Sequence, residues 1–87
     1  MEIKEIFENL KNIENNLYGS LTYLPEYNSI EWEYDGLLNP NIYNEDQLYD
    51  IYKSDYEVIM SFIGLDKIIL NEPYINDNYI RFEIYIE

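Results

Sequence analysis

A row of carboxylates in the middle of the chain is the feature with the clearest chemical potential. Glu31, Glu33 and Asp35 alternate with apolar residues, which is typical of a half-buried antiparallel strand with one acidic face. Side chains on one face of a strand repeat about every 6.6 Å, because each residue rises roughly 3.3 Å. Each strand of DNA carries a phosphate about every 3.4 Å of axis, so the row offers one negative charge for about two phosphates.

More acidic residues and several tyrosines surround this row. No lysine or arginine lies between Lys11 and Lys53, whereas carboxylates recur throughout that interval. Tyrosine suits protein interfaces, because its ring buries apolar area while its hydroxyl remains polar. The candidate partner-binding residues are therefore Glu31, Glu33, Asp35, Glu45, Asp46, Asp50, Tyr27, Tyr43 and Tyr49.

Catalytic and cofactor chemistry is poorly represented. The chain has no histidine and no cysteine, which removes the commonest general base, the commonest metal ligand and every thiolate site. Its glycines are isolated, so none forms a phosphate-binding loop, and its serines have no histidine to activate them. Residues 31–36 imitate the start of an EF-hand calcium loop, but Ile42 stands where a bidentate glutamate is needed. We expect a binding protein without enzymatic activity, cofactor or metal.

The net charge restricts the class of partner. Eighteen Asp and Glu residues stand against five Lys and Arg residues in 87, which gives a net charge of -13 at pH 7. Direct binding to DNA or RNA is disfavoured, because affinity for phosphates comes from lysine and arginine releasing counterions. A basic protein is the complementary partner. No stretch approaches the roughly 18 apolar residues of a membrane span, so we expect no membrane partner and a cytoplasmic protein.

Hydrophobic periodicity predicts a single α+β domain over residues 1–87, with the element order α-β-β-α(α)-β-β. The predicted elements are a helix from Ile3, strands 17–24 and 30–35, a helical region 44–63, and a hairpin of strands 67–72 and 79–87. This order favours two layers, with the helices packed on one face of an antiparallel sheet. The strand order, and the choice between monomer and homodimer, stay open at this point.

The helical region contains a local conflict. On one continuous helix, Asp55 falls in the middle of the apolar stripe, and burial of a carboxylate is costly unless it is paired. Ser54 followed by Glu57 resembles a capping box, so we expect a break near Ser54 and a new helix that Gly64 ends. The predicted core consists of Ile6, Phe7, Leu10, Ile30, Trp32, Ile59, Phe62, Ile80, Phe82 and Ile84.

In size, acidity and absence of a catalytic motif, the whole chain resembles small DNA-mimic inhibitors encoded by phages and viruses, including anti-CRISPR proteins. The resemblance is one of type and rests on no family motif, so it assigns no residues. It implies an inhibitor that docks an acidic, tyrosine-bearing face into the basic nucleic-acid-binding site of an enzyme. A CRISPR effector, another nuclease or a DNA-repair enzyme is the implied target.

Two other functions fit the same sequence. An immunity protein or antitoxin that neutralises a basic nuclease toxin would use the same electrostatic attraction. A structural or assembly subunit would instead associate with itself through its terminal hairpin and exposed tyrosines. A neighbouring toxin gene would favour immunity, neighbouring phage genes would favour the antagonist, and concentration-dependent oligomers would favour the assembly subunit.

Overall fold

The structure places two helices on one face of an antiparallel sheet. The computed structural model describes residues 2–36, 45–64, 68–70, 72–76 and 78–86. The described helices and strands are α1 (Ile3–Lys11), β1 (Ser20–Leu24), β2 (Ser29–Asp35), α2 (Glu45–Ile63), β3 (Ile68–Leu70), β4 (Tyr74–Asn76) and β5 (Tyr79–Ile86). Short 3-10 turns at Glu14–Asn16 and Pro25–Tyr27 follow α1 and join β1 to β2. The predicted α+β class with helices on an antiparallel sheet is confirmed.

The sheet is built around β2 and β5. Its order is β1-β2-β5-β3, and β4 pairs with β5 further along the same edge as β3. Leu70 pairs with Ile84 whereas Tyr74 pairs with Arg81, so the register shifts by one residue between β3 and β4. An extra residue on one strand is the geometry of a β-bulge, which loosens the ladder locally. The first strand of the predicted hairpin is therefore two segments, and β4 lies where the sequence predicted a turn.

The inner face of the sheet and the apolar stripes of both helices form the core. Ile30, Trp32 and Tyr34 of β2 are buried, as their alternation predicts. Trp32 stacks on Phe82 of β5 with 5.0 Å between ring centroids. The buried apolar residues are Ile3, Ile6, Leu10, Leu21, Ile30, Trp32, Tyr34, Leu48, Ile51, Ile59, Ile80, Phe82 and Ile84.

Two predicted core residues lie outside this set. Phe7 is half-buried and stacks on Tyr23 at the margin of the core, with 5.6 Å between ring centroids. Phe62 is 45% exposed, so its assignment to the core is wrong. The inward stripe of α2 runs through Asp55, Ile59 and Ile63 at four-residue spacing. Phe62 is therefore rotated about 100° away from the sheet, because a helix has about 3.6 residues per turn.

Helix α2 is continuous across Ser54, so the predicted break is wrong. Asp55 is fully buried, and its carboxylate accepts hydrogen bonds from the backbone N–H groups of Tyr18 at 3.0 Å and Gly19 at 2.8 Å. The indole Nε1–H of Trp32 donates a third bond at 2.7 Å. These bonds offset the loss of hydration that makes a buried carboxylate costly, and the helix does not have to expose Asp55.

The ends of the helices follow local signals. Helix α1 ends at Lys11, earlier than its apolar stripe, but Ile13 and Leu17 still pack against the core from the following segment. Gly64 ends α2 as predicted, with a φ of 80° and its N–H bonded to the Met60 carbonyl at 3.0 Å. Neither described helix combines the length and the apolar composition that crossing a bilayer requires.

Strand β1 lies at an edge of the sheet, where a strand exposes backbone groups. The N–H of Leu21 donates to one carboxylate oxygen of Glu14 at 2.8 Å, and Lys11 binds the other oxygen at 2.8 Å. Burial raises the pKa of Glu14, but the bonds from Lys11 and Leu21 and the charge of Lys11 outweigh it, so the pKa is lowered. Glu14 thus occupies a backbone donor that a second strand would need.

Candidate interaction surface

The face of the sheet opposite the helices carries mainly polar side chains. Directly opposed residues of an antiparallel sheet point to the same face, so the pairing of β2 with β1 and β5 determines which side chains meet. We call this surface the open face. Its residues are Ser20, Thr22, Leu24, Ser29, Glu31, Glu33, Asp35, Tyr74, Asn76, Tyr79, Arg81, Glu83 and Tyr85. Both described helices bury their apolar stripes against the other face.

Four carboxylates lie side by side on the open face, from Glu31, Glu33, Asp35 and Glu83. Glu31 stands directly opposite Glu83, and like charges in opposed positions destabilise a sheet. Among the open-face residues Arg81 carries the single positive charge, and its Nη1 lies 3.4 Å from Oε2 of Glu31. The surface is therefore strongly negative.

The ionisation of Glu31 reflects this crowding. Burial raises the pKa of the Glu31 carboxyl, and the charge of Glu33, a hydrogen bond with Glu33 and the charge of Glu83 raise it further. The positive charge of Arg81 lowers the pKa but does not cancel these effects. The Glu31 carboxyl thus loses hydration and faces neighbouring carboxylates, and the charge of Arg81 does not offset both effects.

Tyr79 stands opposite Asp35 on the sheet and contacts the row of acidic residues on β2. Its hydroxyl donates a hydrogen bond to Oε2 of Glu33 at 2.7 Å. Burial raises the pKa of Tyr79, and this hydrogen bond and the charges of Glu33 and Glu31 raise it further, against the effect of Arg81. The phenol therefore keeps its proton and fixes the direction of the Glu33 carboxylate.

A small hollow opens on the sheet where the register shifts between β3 and β4. Its volume is ≈ 80 Å³, and it is lined by Glu72, Tyr74, Arg81, Phe82 and Glu83. The guanidinium carbon of Arg81 lies 5.6 Å from the centroid of the Tyr74 ring, within the range of a cation–π contact. The lining of the hollow thus combines two acidic residues, two aromatic residues and one arginine.

The predicted partner-binding residues occupy different parts of the molecule. Glu31, Glu33 and Asp35 lie together on the open face, as their alternation predicts, although their side chains are half-buried where we expected a solvated row. Tyr27 is 72% exposed in the turn between β1 and β2. Tyr43 lies outside the described residues. The open face thus gathers three of the predicted acids and does not include Tyr27.

The remaining predicted residues belong to α2, on the other side of the sheet. Glu45 is its first residue, and Asp46, Tyr49 and Asp50 are exposed on the side of the helix that faces solvent. This surface also carries a cation, because the Nζ of Lys53 lies 5.1 Å from the centroid of the Tyr49 ring. The sheet and the core separate these residues from the open face.

Tyr74, Arg81 and Glu83 are among the open-face residues that the sequence did not single out as partner-binding residues. The alternation of β5 indicates only that Arg81 and Glu83 point away from the core. Their position beside Glu31 depends on the pairing of β2 with β5, which joins residues 50 positions apart in the case of Arg81 and Glu31. The signal that would find them is the strand order, which the pattern of one sequence does not contain.

Neither a metal-binding group nor a similarity to known proteins adds to this description of the surface. Within the part of the chain that the structure describes, no group of three or more acidic side chains is arranged to hold a metal ion. No protein-family model matches the chain, and no curated protein or solved structure is significantly similar to it.

Proposed function

We propose that this chain inhibits a nucleic-acid-processing enzyme by covering the basic nucleic-acid site of that enzyme with the open face. The observation that carries the proposal is the set of four carboxylates beside a single guanidinium on a sheet face on which neither described helix packs. Such a surface complements a cleft rich in lysine and arginine. Long-range attraction would speed association and weaken as added salt shortens the screening length.

The spacing of the charges supports mimicry of a phosphate backbone. Along β2 the acids Glu31, Glu33 and Asp35 repeat about every 6.6 Å, and the neighbouring strand lies about 4.8 Å away. Glu83 on that neighbouring strand raises the density of charge next to Glu31. Like charges in opposed positions, as at Glu31 and Glu83, reduce the stability of the sheet, and proteins keep such costs mainly where function requires them.

The class of target follows from the charge of the surface. A CRISPR effector, another nuclease or a DNA-repair enzyme has the cationic cleft that the open face would fit, and the proposal places the chain in the cytoplasm beside such an enzyme. An immunity protein that blocks a nuclease toxin would use the same surface in the same way. Direct contact between this chain and a nucleic acid is not part of the mechanism, because both are anionic.

A competition experiment tests the proposal. The immobilised chain captures a basic enzyme from an extract of its host at low salt, and DNA or RNA is then added. We expect nucleic acid to displace the captured enzyme. We also expect capture to fail for the triple variant Glu31→Gln, Glu33→Gln, Asp35→Asn, because it removes three charges from the open face.

A matched variant controls for the change in net charge. Asp46→Asn, Asp50→Asn and Glu57→Gln neutralise the same number of acids on the exposed side of α2. We expect this variant to capture the enzyme almost as well as the unmodified chain. Equal losses in both triple variants, or capture that nucleic acid does not reduce, would refute docking through the open face.

Assembly with a second copy is a second candidate, and one observation favours it. A cleft of ≈ 510 Å³ lies between the segment after α1 and the C-terminal half of α2, with Ile13, Val58 and the exposed Phe62 in its lining. Contiguous apolar patches mark protein contacts, and these three apolar residues lie together in the lining of the cleft. Light scattering after size exclusion would separate the candidates, since assembly requires an oligomer that Phe62→Ser dissociates.

A further inference from the structure

The hollow at the register shift between β3 and β4 has the composition of a cation site. Glu72 and Glu83 supply carboxylates to its lining, and Tyr74 supplies a ring. These are the groups that recognise a guanidinium, which forms charge-assisted hydrogen bonds with carboxylates and stacks on aromatic rings. The hollow lies beside the point where the register on β5 shifts by one residue between β3 and β4.

The size of the hollow limits what it can hold. Its ≈ 80 Å³ compares with about 30 Å³ for one water molecule in the liquid. The head group of one arginine or lysine side chain fits such a space, whereas a helix or a strand does not. The occupant is therefore a single cationic side chain of a protein that lies across the open face.

Arg81 of this protein already lies in the lining of the hollow. Its guanidinium carbon is 5.6 Å from the centroid of Tyr74, and its Nη1 is 3.4 Å from Oε2 of Glu31. That second distance is longer than the roughly 2.7–2.9 Å of a strong charge-assisted bond. The side chain of Arg81 is also 41% exposed, so the ion pair holds it weakly.

We propose that the hollow lined by Glu72, Tyr74 and Glu83 is the seat for a guanidinium group of the partner, and that Arg81 is an internal competitor for this seat. The inference rests on the proposed function, since it presumes a basic partner on the open face. In the free protein Arg81 partly neutralises the hollow, and the partner's arginine takes its place on binding.

Binding of a labelled hexa-arginine peptide, measured by fluorescence anisotropy, tests the competition. Arg81→Gln removes the competitor, and Lys53→Gln makes the same change in net charge on the exposed side of α2. We expect Arg81→Gln to tighten binding up to about fivefold more than Lys53→Gln, the ratio that a weak, exposed ion pair supports. Equal effects of the two substitutions would overturn the role of Arg81.

The carboxylates of the hollow are tested in the same assay. Glu83→Gln is expected to weaken peptide binding about tenfold more than Glu57→Gln, which removes an equivalent charge from α2. A hexa-lysine peptide of the same charge should bind the unmodified chain more weakly than hexa-arginine, because an ammonium lacks the planar fork of donors. Equal affinity for the two peptides would show attraction by charge alone and overturn the guanidinium seat.

Backbone amide shifts in NMR spectra of the unmodified chain give a readout that no substitution disturbs. The peptide should move the signals of Glu72, Tyr74 and Glu83 most strongly, while the signals of Asp50 and Glu57 remain in place. Perturbation of the open face without these three residues would refute the inference and leave the proposed function intact. Absence of binding to the open face would refute both.

Discussion

Substitution of Asp55 tests how the two layers are joined. Asp55→Ala removes the acceptor of three hydrogen bonds, two from backbone N–H groups of residues 18 and 19 and one from the indole of Trp32. The bonds from Gly19 and Trp32 are buried, whereas the bond from Tyr18 is only partly buried, so the Tyr18 N–H is able to bind water instead. Two donors are then left without partners inside the protein.

The magnitude follows from these two donors. A buried polar group that loses its partner costs about 1–3 kcal/mol, so Asp55→Ala, which leaves two such donors, is expected to lower the free energy of unfolding by about 2–6 kcal/mol. That is a large share of the roughly 5–15 kcal/mol that stabilises a domain. In Asp55→Asn the amide oxygen can take the place of Oδ2, which accepts the bonds from Gly19 and Trp32. We therefore expect a clearly smaller loss for Asn than for Ala, because only the bond from Tyr18 to Oδ1 is lost.

Urea unfolding is the assay, followed by the fluorescence of Trp32, the one tryptophan in the chain. Ser54→Ala is the control, because the neighbouring Ser54 is exposed and its loss should change stability by less than about 0.5 kcal/mol. An Asp55→Ala protein within about 1 kcal/mol of the unmodified chain would show that these bonds contribute little net free energy. Equal losses for Ala and Asn would contradict the assignment of two bonds to Oδ2.

Two further substitutions have outcomes that the structure predicts. In Gly19→Ala the new methyl group would overlap the indole of Trp32 and lie 2.7 Å from the Glu33 carbonyl oxygen, so thermal melts should show a loss of about 1–3 kcal/mol. Glu31→Gln should raise stability at pH 7 by up to about 1 kcal/mol, because it removes a like charge opposite Glu83. Because its pKa is raised, Glu31 destabilises the folded state only at pH values where its carboxyl is ionised, so the gain from Glu31→Gln should vanish on acidification. Thermal melts across the pH range are the test, and a gain that stays constant with pH would contradict the reasoning.

Much of the fold was predictable because local patterns agree with it. Alternation in β2 and β5 and the stripe of α1 place most core residues correctly, and Gly64 marks the end of α2. The break in α2 was wrong for a reason that local patterns do not contain. Asp55 is acceptable in the core only because donors 23 to 37 positions away, at Trp32, Gly19 and Tyr18, converge on it.

The candidate surface was predictable only in part, for a similar reason. Alternation brings Glu31, Glu33 and Asp35 to one face without any knowledge of the tertiary structure. The addition of Arg81 and Glu83 depends on the pairing of β2 with β5, and the hollow lies beside a register shift within the last hairpin. Composition also grouped the acids of α2 with those of β2, although the sheet lies between them.

The bond from Leu21 to Glu14 has a consequence for the behaviour of the protein in acid. Fibrils grow when an unprotected strand recruits the same strand of another molecule, and mutual repulsion between highly charged chains normally keeps such strands apart. That repulsion fades as the pH approaches the isoelectric point of ≈ 4.1. Because the pKa of Glu14 is lowered, its carboxylate keeps the Leu21 amide occupied to lower pH than an ordinary glutamate would. The Glu14 side chain therefore still blocks the pairing of β1 with another molecule at a pH where charge repulsion between the molecules has become weak.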